Sequence, residues 1–312
     1  MTEFELIKKY FTASVQPDWL AIGVGDDGAV VNADSRQLVV VTDTLVESVH
    51  FFAGTSAKAI GHKALAVNLS DLAAMGAEPR WITLNLTLPE PNEAWLADFA
   101  AGLHALAAQF GVALIGGDTT AGPLTVSVTA GGYLPMQQAP LQRSGAKPGD
   151  QLCVVGQLGL AALAVAARQS GKLAPSVQSQ ALDFPQPRVN EAQQLVGLAS
   201  AAIDVSDGLL ADLGHLLQAS GVGAELDGDG LAACVPVTCL EDRQPAAQAM
   251  LSGGDDYALL FTLPATVDVP AWATRIGKIT QARSGAIELM GGASWLRTAF
   301  EQASQVPGFQ HF

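Results

Sequence analysis

Blocks of apolar residues recur along the chain with two periods, and the period predicts the element. Leu38-Val39-Val40-Val41 is a continuous apolar run of strand type. From Ala57 to Met75 the apolar positions follow a helical period that no proline interrupts. Trp81 to Leu88 alternates and stops at Pro89, which predicts a strand. Asn92 offers an N-cap to a helix running to about Phe110 and closed by Gly111. Val112-Ala113-Leu114-Ile115 reads as a buried strand leading into Gly116-Gly117, and Leu124 to Tyr133 as another. Pro135 to Asp150 breaks the pattern with Pro, Gly, Gln and Lys, and a domain boundary is placed there, dividing 1–137 from 138–312. Gln151 to Val155 opens the second half as a strand. Helices follow at about Leu158–Ser170, Arg188–Ser200 and Asp207–Ser220, and Leu259 to Thr262 is a strand. The tail mixes short strands with a helix near Ser294–Ala303. Strands and helices interleave in both halves, so the expected class is α/β or α+β, and 312 residues fit two domains.

One spacing repeats. Ser70-Asp71 precedes Gly116-Gly117-Asp118, and Ser206-Asp207 precedes Gly253-Gly254-Asp255 at almost the same interval. This is a hint of two related halves.

Composition narrows the function. Apolar residues make up 49% and charged residues 15%, enough for a large core and unlike a disordered chain. The net charge of −14 comes with no basic stripe, which argues against nucleic acid and against an acidic membrane surface. A phosphorylated ligand is still open, because bound divalent cations invert local charge. Cys153, Cys234 and Cys239 form no C-x-x-C pair and read as free thiols in a reducing compartment. The first eleven residues alternate charged and apolar positions like a short amphipathic helix, not a signal peptide, and no run is long enough to span a membrane. The expectation is a soluble, cytoplasmic protein.

The aspartates are the candidate chemistry. Asp26 and Asp27 sit in Gly-Val-Gly-Asp-Asp-Gly, and Asp43 follows an apolar run ending Val41-Thr42. Asp71 lies in Asn-Leu-Ser-Asp-Leu, and Asp118 ends Leu-Ile-Gly-Gly-Asp. Asp204 and Asp207 share Ile-Asp-Val-Ser-Asp-Gly, and Asp255-Asp256 follow Ser-Gly-Gly. Taken singly, each reads as a helix cap or turn residue, Asp26 and Asp256 above all. As a set they end or interrupt apolar segments beside glycine or hydroxyl residues, where a rigid frame presents functional groups. Carboxylates gathered there repel one another, and a hard cation resolves the conflict. Magnesium takes oxygen ligands, keeps several waters and bridges carboxylates to substrate phosphates.

Other motifs fail on context. Gly23-x-Gly25-x-x-Gly28 matches the dinucleotide fingerprint, but two aspartates fill the gap and Ala29-Val30-Val31 predicts a strand where a helix should open. No Walker P-loop and no G-x-S-x-G elbow occurs, and the five histidines lack zinc spacing.

Seven motifs in order resemble the thiamine-monophosphate kinases. They are Gly-Val-Gly-Asp-Asp-Gly-Ala-Val (23–30), Val-Thr-Asp-Thr-Leu-Val-Glu-Ser-Val-His-Phe (41–51), Lys-Ala-Leu-Ala-Val-Asn-Leu-Ser-Asp-Leu-Ala-Ala-Met-Gly-Ala (63–77), Leu-Ile-Gly-Gly-Asp-Thr-Thr (114–120), Gln-Arg-Ser-Gly-Ala-Lys-Pro-Gly-Asp (142–150), Ile-Asp-Val-Ser-Asp-Gly-Leu (203–209) and Ser-Gly-Gly-Asp-Asp-Tyr (252–257). Each is modest alone; together and in order they are specific. The resemblance implies a two-domain fold like aminoimidazole ribonucleotide synthetase. Its N-terminal ATP- and Mg-binding domain has a sheet that pairs across a homodimer, and its C-terminal α/β domain completes the nucleotide and substrate site. It implies phosphoryl transfer from ATP to thiamine monophosphate, giving thiamine diphosphate, with several Mg²⁺ ions.

Carried over by motif, Asp27, Thr42, Asp43, Asp71, Asp118, Asp204 and Asp207 look like magnesium ligands, with Val41 adding a backbone carbonyl. Asp43, Asp71 and Asp118 look central to catalysis. Gly117, Asp118, Arg143 and Ser206 look like nucleotide contacts, and His50, Asp255 and Phe309 like thiamine-phosphate contacts. An aromatic face and a carboxylate suit a cationic thiazolium, and the arginine fork suits phosphate. Gly28, Ala121, Asp255 and Ala258 depart from the family's frequent residues, which bears on substrate affinity and removes no metal ligand. The competing readings are another ATP-using enzyme of this fold and a two-metal phosphatase.

Overall fold

The computed structural model describes residues 3–12, 17–22, 24, 29–32, 35–235 and 243–305. The chain divides into two compact units, residues 1–72 with 77–138, and 73–76 with 139–312.

The first unit carries helix α1 (Glu3–Tyr10), a two-stranded ribbon of β1 (Leu20–Ile22) and β2 (Val30–Val31), and a four-stranded sheet with helices α2 (Ala57–Ala74) and α3 (Glu93–Phe110). The sheet runs β3-β6-β4-β5, from β3 (Leu38–Val46), β4 (Glu78–Leu88), β5 (Ala113–Ala121) and β6 (Thr125–Tyr133). β6 is antiparallel to β3 and β4, while β4 and β5 are parallel. Every residue from Ala59 to Ser70 of α2 is buried, including Lys63 and Asn68. α3 begins where Asn92 accepts a 3.0 Å bond from Trp95 N–H, and ends at Gly111 in the left-handed conformation, as its sequence predicts. The α1 end packs on it: Phe11 meets Phe99 edge-on at 6.4 Å, and Tyr10 hydroxyl donates to the Glu93 carbonyl.

The second unit has a six-stranded sheet in the order β12-β9-β11-β7-β10-β8. Its strands are β7 (Gln151–Val155), β8 (Ala201–Val205), β9 (Gly223–Asp227), β10 (Ala258–Leu263), β11 (Thr274–Thr280) and β12 (Ile287–Met290). All neighbours are antiparallel except β12 and β9. Around it lie α4 (Leu160–Gln169), α5 (Ser176–Asp183), α6 (Val189–Leu195), α7 (Leu209–Ser220), α8 (Gly228–Cys234), α9 (Arg243–Ser252) and α10 (Ser294–Ala303). Leu152, Ile203, Leu213, Leu226, Leu260 and Ile276 form the heart of its core. The molecule is thus α/β with mixed sheets. No helix among the described residues is long and apolar enough to cross a membrane.

Some elements differ from their sequence reading. β3 continues five residues past Val41, because its full length pairs with β6. β5 runs through Gly116-Gly117 to Ala121, held by β4 despite the glycines. The helix expected over 188–200 stops at Leu195, and the one expected from Asp207 starts at Leu209. The echo of Ser-Asp and Gly-Gly-Asp is not a structural repeat. Ser70-Asp71 lies inside α2 and Gly116-Gly117-Asp118 inside β5, whereas Ser206-Asp207 and Gly253-Gly254-Asp255 lie in the connections between elements.

Candidate active site

The acidic motifs of the first unit sit on β3, α2 and β5. In β3, Thr42 pairs with Thr129 and Asp43 with Val128 of β6. Thr42 hydroxyl donates to the Val128 carbonyl at 3.2 Å and lies 3.1 Å from Thr129 Oγ1, and Thr44 Oγ1 lies 2.7 Å from Ser127 Oγ, so the strand's position is fixed on both sides of Asp43. Asp71 projects from the last turns of α2. A hydrogen bond links the Asp43 and Asp71 carboxyl groups. Burial pushes the Asp43 carboxyl above its ordinary range, and the bond from Asp71 pulls the other way. Two acids held this close share a proton or a cation.

Gly117 and Asp118 occupy β5 opposite Leu84 and Asn85, just past a bulge in the pairing. Gly117 has φ 152°, and a Cβ there would stand 1.9 Å from the Leu84 carbonyl oxygen, so only glycine brings β5 this close to β4. Asp118 is exposed, and its Oδ1 accepts the Thr119 N–H at 2.9 Å.

His50 closes a turn at the end of β3. Its Nδ1 accepts the Val46 N–H at 2.9 Å, and its carbonyl accepts from the buried Lys63 Nζ at 3.3 Å. With Nδ1 so engaged, a neutral His50 carries its proton on Nε2, as a donor. Asn68, one turn before Asp71, spends its Nδ2 on the Ala64 carbonyl and leaves a buried Oδ1 with no hydrogen-bond partner.

The second unit joins two motifs back to back. Asp204 is buried in β8, and Ser206-Asp207-Gly208 turns the chain into α7. The Ser252–Tyr257 segment lies against that turn: Asp255 N–H donates to the Ser206 carbonyl at 2.9 Å and Tyr257 N–H to the Val205 carbonyl at 2.8 Å. A Cβ on Gly254 would meet the Ser206 carbonyl at 2.5 Å, and one on Gly208 would meet Ser252 carbonyl carbon at 2.8 Å. Asp255 and Tyr257 both have positive φ, 67° and 48°, and Tyr257 hydroxyl donates to Asp255 Oδ1 at 3.0 Å. Two non-glycine residues here occupy the left-handed region, which costs backbone energy that the surrounding bonds must hold. Arg143 is tethered by its backbone: its carbonyl accepts from Ser220 hydroxyl at 3.0 Å, and the neighbouring Gln142 carbonyl from Ala202 N–H at 2.8 Å.

Two further acids belong here. Asp256 keeps some exposed surface, yet both its oxygens accept the Gly159 N–H at 3.0 and 2.8 Å; burial pushes its carboxyl well up, against that bond. It is the turn-holding residue its sequence position predicts. Asp212 is the residue that the motif reading passed over. Its Oδ2 accepts the N–H groups of Ser206, Asp207 and Gly208 at 3.1, 3.0 and 3.2 Å. Burial raises its carboxyl to about 7, opposed by the Asp207 N–H and assisted by the charges of Asp204 and Asp207. An acid in the first turn of a helix that opens at glycine is the signal that was available.

The structure therefore couples Asp43 with Asp71, and joins the Ser206-Asp207 turn to Asp255. Asp27 and Phe309 lie outside the described residues. Among the described residues, no three His, Cys, Asp or Glu side chains gather closely enough to hold an ion by themselves. The Asp43–Asp71 pair nevertheless fits magnesium, which commonly takes one or two carboxylates and completes its shell with water and phosphate oxygens.

Fold and site define a class that comparison makes explicit. The family description "AIR synthase related protein, N-terminal domain" matches residues 25–134, and its C-terminal counterpart matches residues 147–289. Within that class, a thiamine-monophosphate kinase of Salmonella typhimurium strain LT2 is 46% identical, over 84% of this chain and 82% of the relative. The crystal structure of the thiamine-monophosphate kinase from Stenotrophomonas maltophilia K279a superposes with a TM-score of 0.80 at 44% identity, covering 89% of this chain and 93% of that one. AaThiL complexed with AMPPCP and TMP gives a TM-score of 0.77 at 29% identity, covering 93% and 92%. The chain belongs to the thiamine-monophosphate kinase family.

Proposed function

We propose that this chain transfers the γ-phosphoryl group of ATP to thiamine monophosphate, forming thiamine diphosphate and ADP. The observation that carries this reading is its likeness, at 46% identity over 84% of the chain, to a thiamine-monophosphate kinase. The AaThiL complex supports both substrates, since AMPPCP is an ATP analogue with a non-cleavable β,γ bridge and TMP fits the acceptor.

The chain's own groups suit the chemistry. Asp43 and Asp71 would hold magnesium, with Thr42, the Val41 carbonyl, Asp27 and Asp118 as further ligands in the first unit, and Asp204 and Asp207 would be the magnesium ligands of the second. Magnesium, when bound, supplies the positive charge that lets three phosphate groups meet on a protein of net charge −14. Arg143 offers a planar fork to a phosphate, and the fixed backbone on either side of it reduces the entropy lost on binding. Gly117, Asp118 and Ser206 complete the nucleotide contacts. His50 presents Nε2–H as a donor to the acceptor phosphate, and Asp255, with Phe309, faces the thiazolium cation. The attacking phosphate oxygen is already ionised at neutral pH, so no strong base is needed. Positioning and electrostatics do the work, with in-line attack on the γ-phosphorus. The first unit would bind ATP and metal, and the second would carry nucleotide and substrate contacts of its own.

The same reading extends to a soluble, cytoplasmic homodimer that binds neither nucleic acid nor membrane. β3 is an edge strand with Leu38 and Val40 about half exposed, which supports pairing of this sheet with a second copy.

The test is to incubate the protein with ATP, Mg²⁺ and thiamine monophosphate and follow thiamine diphosphate by chromatography. Tubes with EDTA, and with thiamine in place of its phosphate, run beside it. Metal-dependent product from the monophosphate alone is expected. No product while ATP binding is intact would turn the assignment to another ATP-using enzyme of the fold. Release of phosphate from the ester without ATP would turn it to a phosphatase.

A further inference from the structure

We propose that Asp212 is a positioning residue of this active site: one oxygen of its carboxylate holds the Ser206-Asp207-Gly208 turn in the shape that nucleotide and metal binding require. The inference rests on the roles given above to Ser206 and Asp207, and assigns one to a residue that touches neither substrate.

Three consecutive backbone N–H groups converge on Asp212 Oδ2 at 3.1, 3.0 and 3.2 Å. A turn whose successive N–H groups point to one spot forms an anion-binding concavity, of the kind that elsewhere receives a phosphate. Here the chain fills the concavity with its own side chain, which is 3% exposed. The opposite edge of the turn is equally constrained, because the Ser206 carbonyl accepts from Asp255 N–H at 2.9 Å. Gly208 has φ 118° and is packed against Ser252, so the turn cannot relax by rotating there. Ser206 and Asp207 thus present their side chains from a backbone gripped on both sides. The presence of a third acid beside Asp204 and Asp207 needs a reason, since like charges in one turn oppose each other. Binding three N–H groups is that reason: the donors offset its charge at the helix start.

The experiment measures binding of the magnesium complex of AMPPCP by calorimetry, on the full chain, together with KM for thiamine monophosphate. Asp212→Ala should weaken nucleotide binding at least about tenfold, because three donors lose their acceptor and the turn reorganises. KM for thiamine monophosphate should rise less than the nucleotide dissociation constant, since Asp255 joins this turn through a single backbone bond and His50 belongs to the first unit. Asp212→Asn, which keeps an acceptor oxygen at the same distance, should recover most of the loss. Leu296→Ala, a cavity in the core of the same unit, controls for lowered stability and should leave nucleotide affinity unchanged. If Asp212→Ala does not fold, Asp212→Glu, which displaces the oxygen by one methylene, takes its place with the same expected loss. Parent-like nucleotide affinity in the folded Ala or Glu variant overturns the proposal, as does an equal loss in Leu296→Ala. A parent protein that binds the nucleotide but makes no thiamine diphosphate would sink the kinase reading and leave the Asp212 comparison standing.

Discussion

Asp150, Asp212 and Asp256 have oxygens met by N–H or O–H donors; Asp43 faces another carboxyl. Asp150 takes the Lys147 N–H at 2.9 Å and the Ser200 hydroxyl at 2.6 Å, so this buried carboxyl has its hydrogen bonds satisfied. Asp43 is destabilised as an anion, which favours a cation in its place. Asp43→Ala or Asp71→Ala should therefore cut turnover at least about a hundredfold. The urea midpoint should stay close to the parent's, because the lost Asp43–Asp71 bond is offset by removing a carboxyl from a site where burial disfavours its charge. Turnover assays beside urea melts check this, and full activity in either variant would break the metal-site reading. Cys153 illustrates the opposite residue. It is fully buried in β7, and burial pushes its thiol from 9.0 to about 12, with Arg275 opposing. The sign follows: the folded thiol stays neutral while the unfolded one ionises near 9, so its share of stability is present below pH 9 and lost as pH rises toward 12. Iodoacetamide at pH 8.5 should leave Cys153 unlabelled in the native protein and label it fully in urea, as peptide mapping by mass spectrometry will show. Rapid native labelling would mean that β7 opens locally.

Among the elements, α2 and α3 carry the most consequence, because α2 places Asp71. They cross at a pair of glycines. A Cβ on Gly61 would lie 2.1 Å from the Phe99 carbonyl oxygen, and one on Gly102 would lie 2.0 Å from that of Lys58. Backbone cannot yield there as a side-chain tip can, so the helices must separate. Gly61→Ala or Gly102→Ala should cost about 2–4 kcal/mol despite alanine's better helix propensity, and lower activity by shifting Asp71. Urea unfolding measures the first and turnover the second; a stabilised variant would contradict the crossing. Sequence reading found α3, β7 and α10 nearly to the residue, because caps or turn residues mark their ends. It found α2 by its apolar period but not its glycine crossing, since a glycine inside a helix gives no sign of what faces it. α5, α8 and α9 escaped it, being short and set among small and polar residues whose burial depends on neighbours distant in sequence. At the site, the motifs single out the acids one by one. The Asp43–Asp71 bond and the grip of Asp255 on Ser206 depend on tertiary pairing, and local sequence cannot supply that.

At the scale of the whole molecule, charge decides what the protein can bind. Thirty acidic residues against sixteen basic ones give −14, and ATP and thiamine monophosphate both bring phosphate. Without a divalent cation, the nucleotide approaches a surface of its own sign, and the acids proposed as ligands add repulsion at short range. ATP with EDTA should therefore leave thermal unfolding nearly unchanged. ATP with Mg²⁺ at about a hundred times its dissociation constant should add about 2.7 kcal/mol, a rise on the order of 5–10 °C. The two units need not unfold together, so the shift is read on each transition. Replacing Mg²⁺ with NaCl of equal ionic strength separates the two accounts of that shift: general screening would restore ATP binding, whereas specific coordination would not. Stabilisation by ATP in EDTA equal to that with Mg²⁺ would show that the acidic set does not need a cation to accept the nucleotide. Arg143 and the backbone N–H groups would then have to carry the phosphates alone.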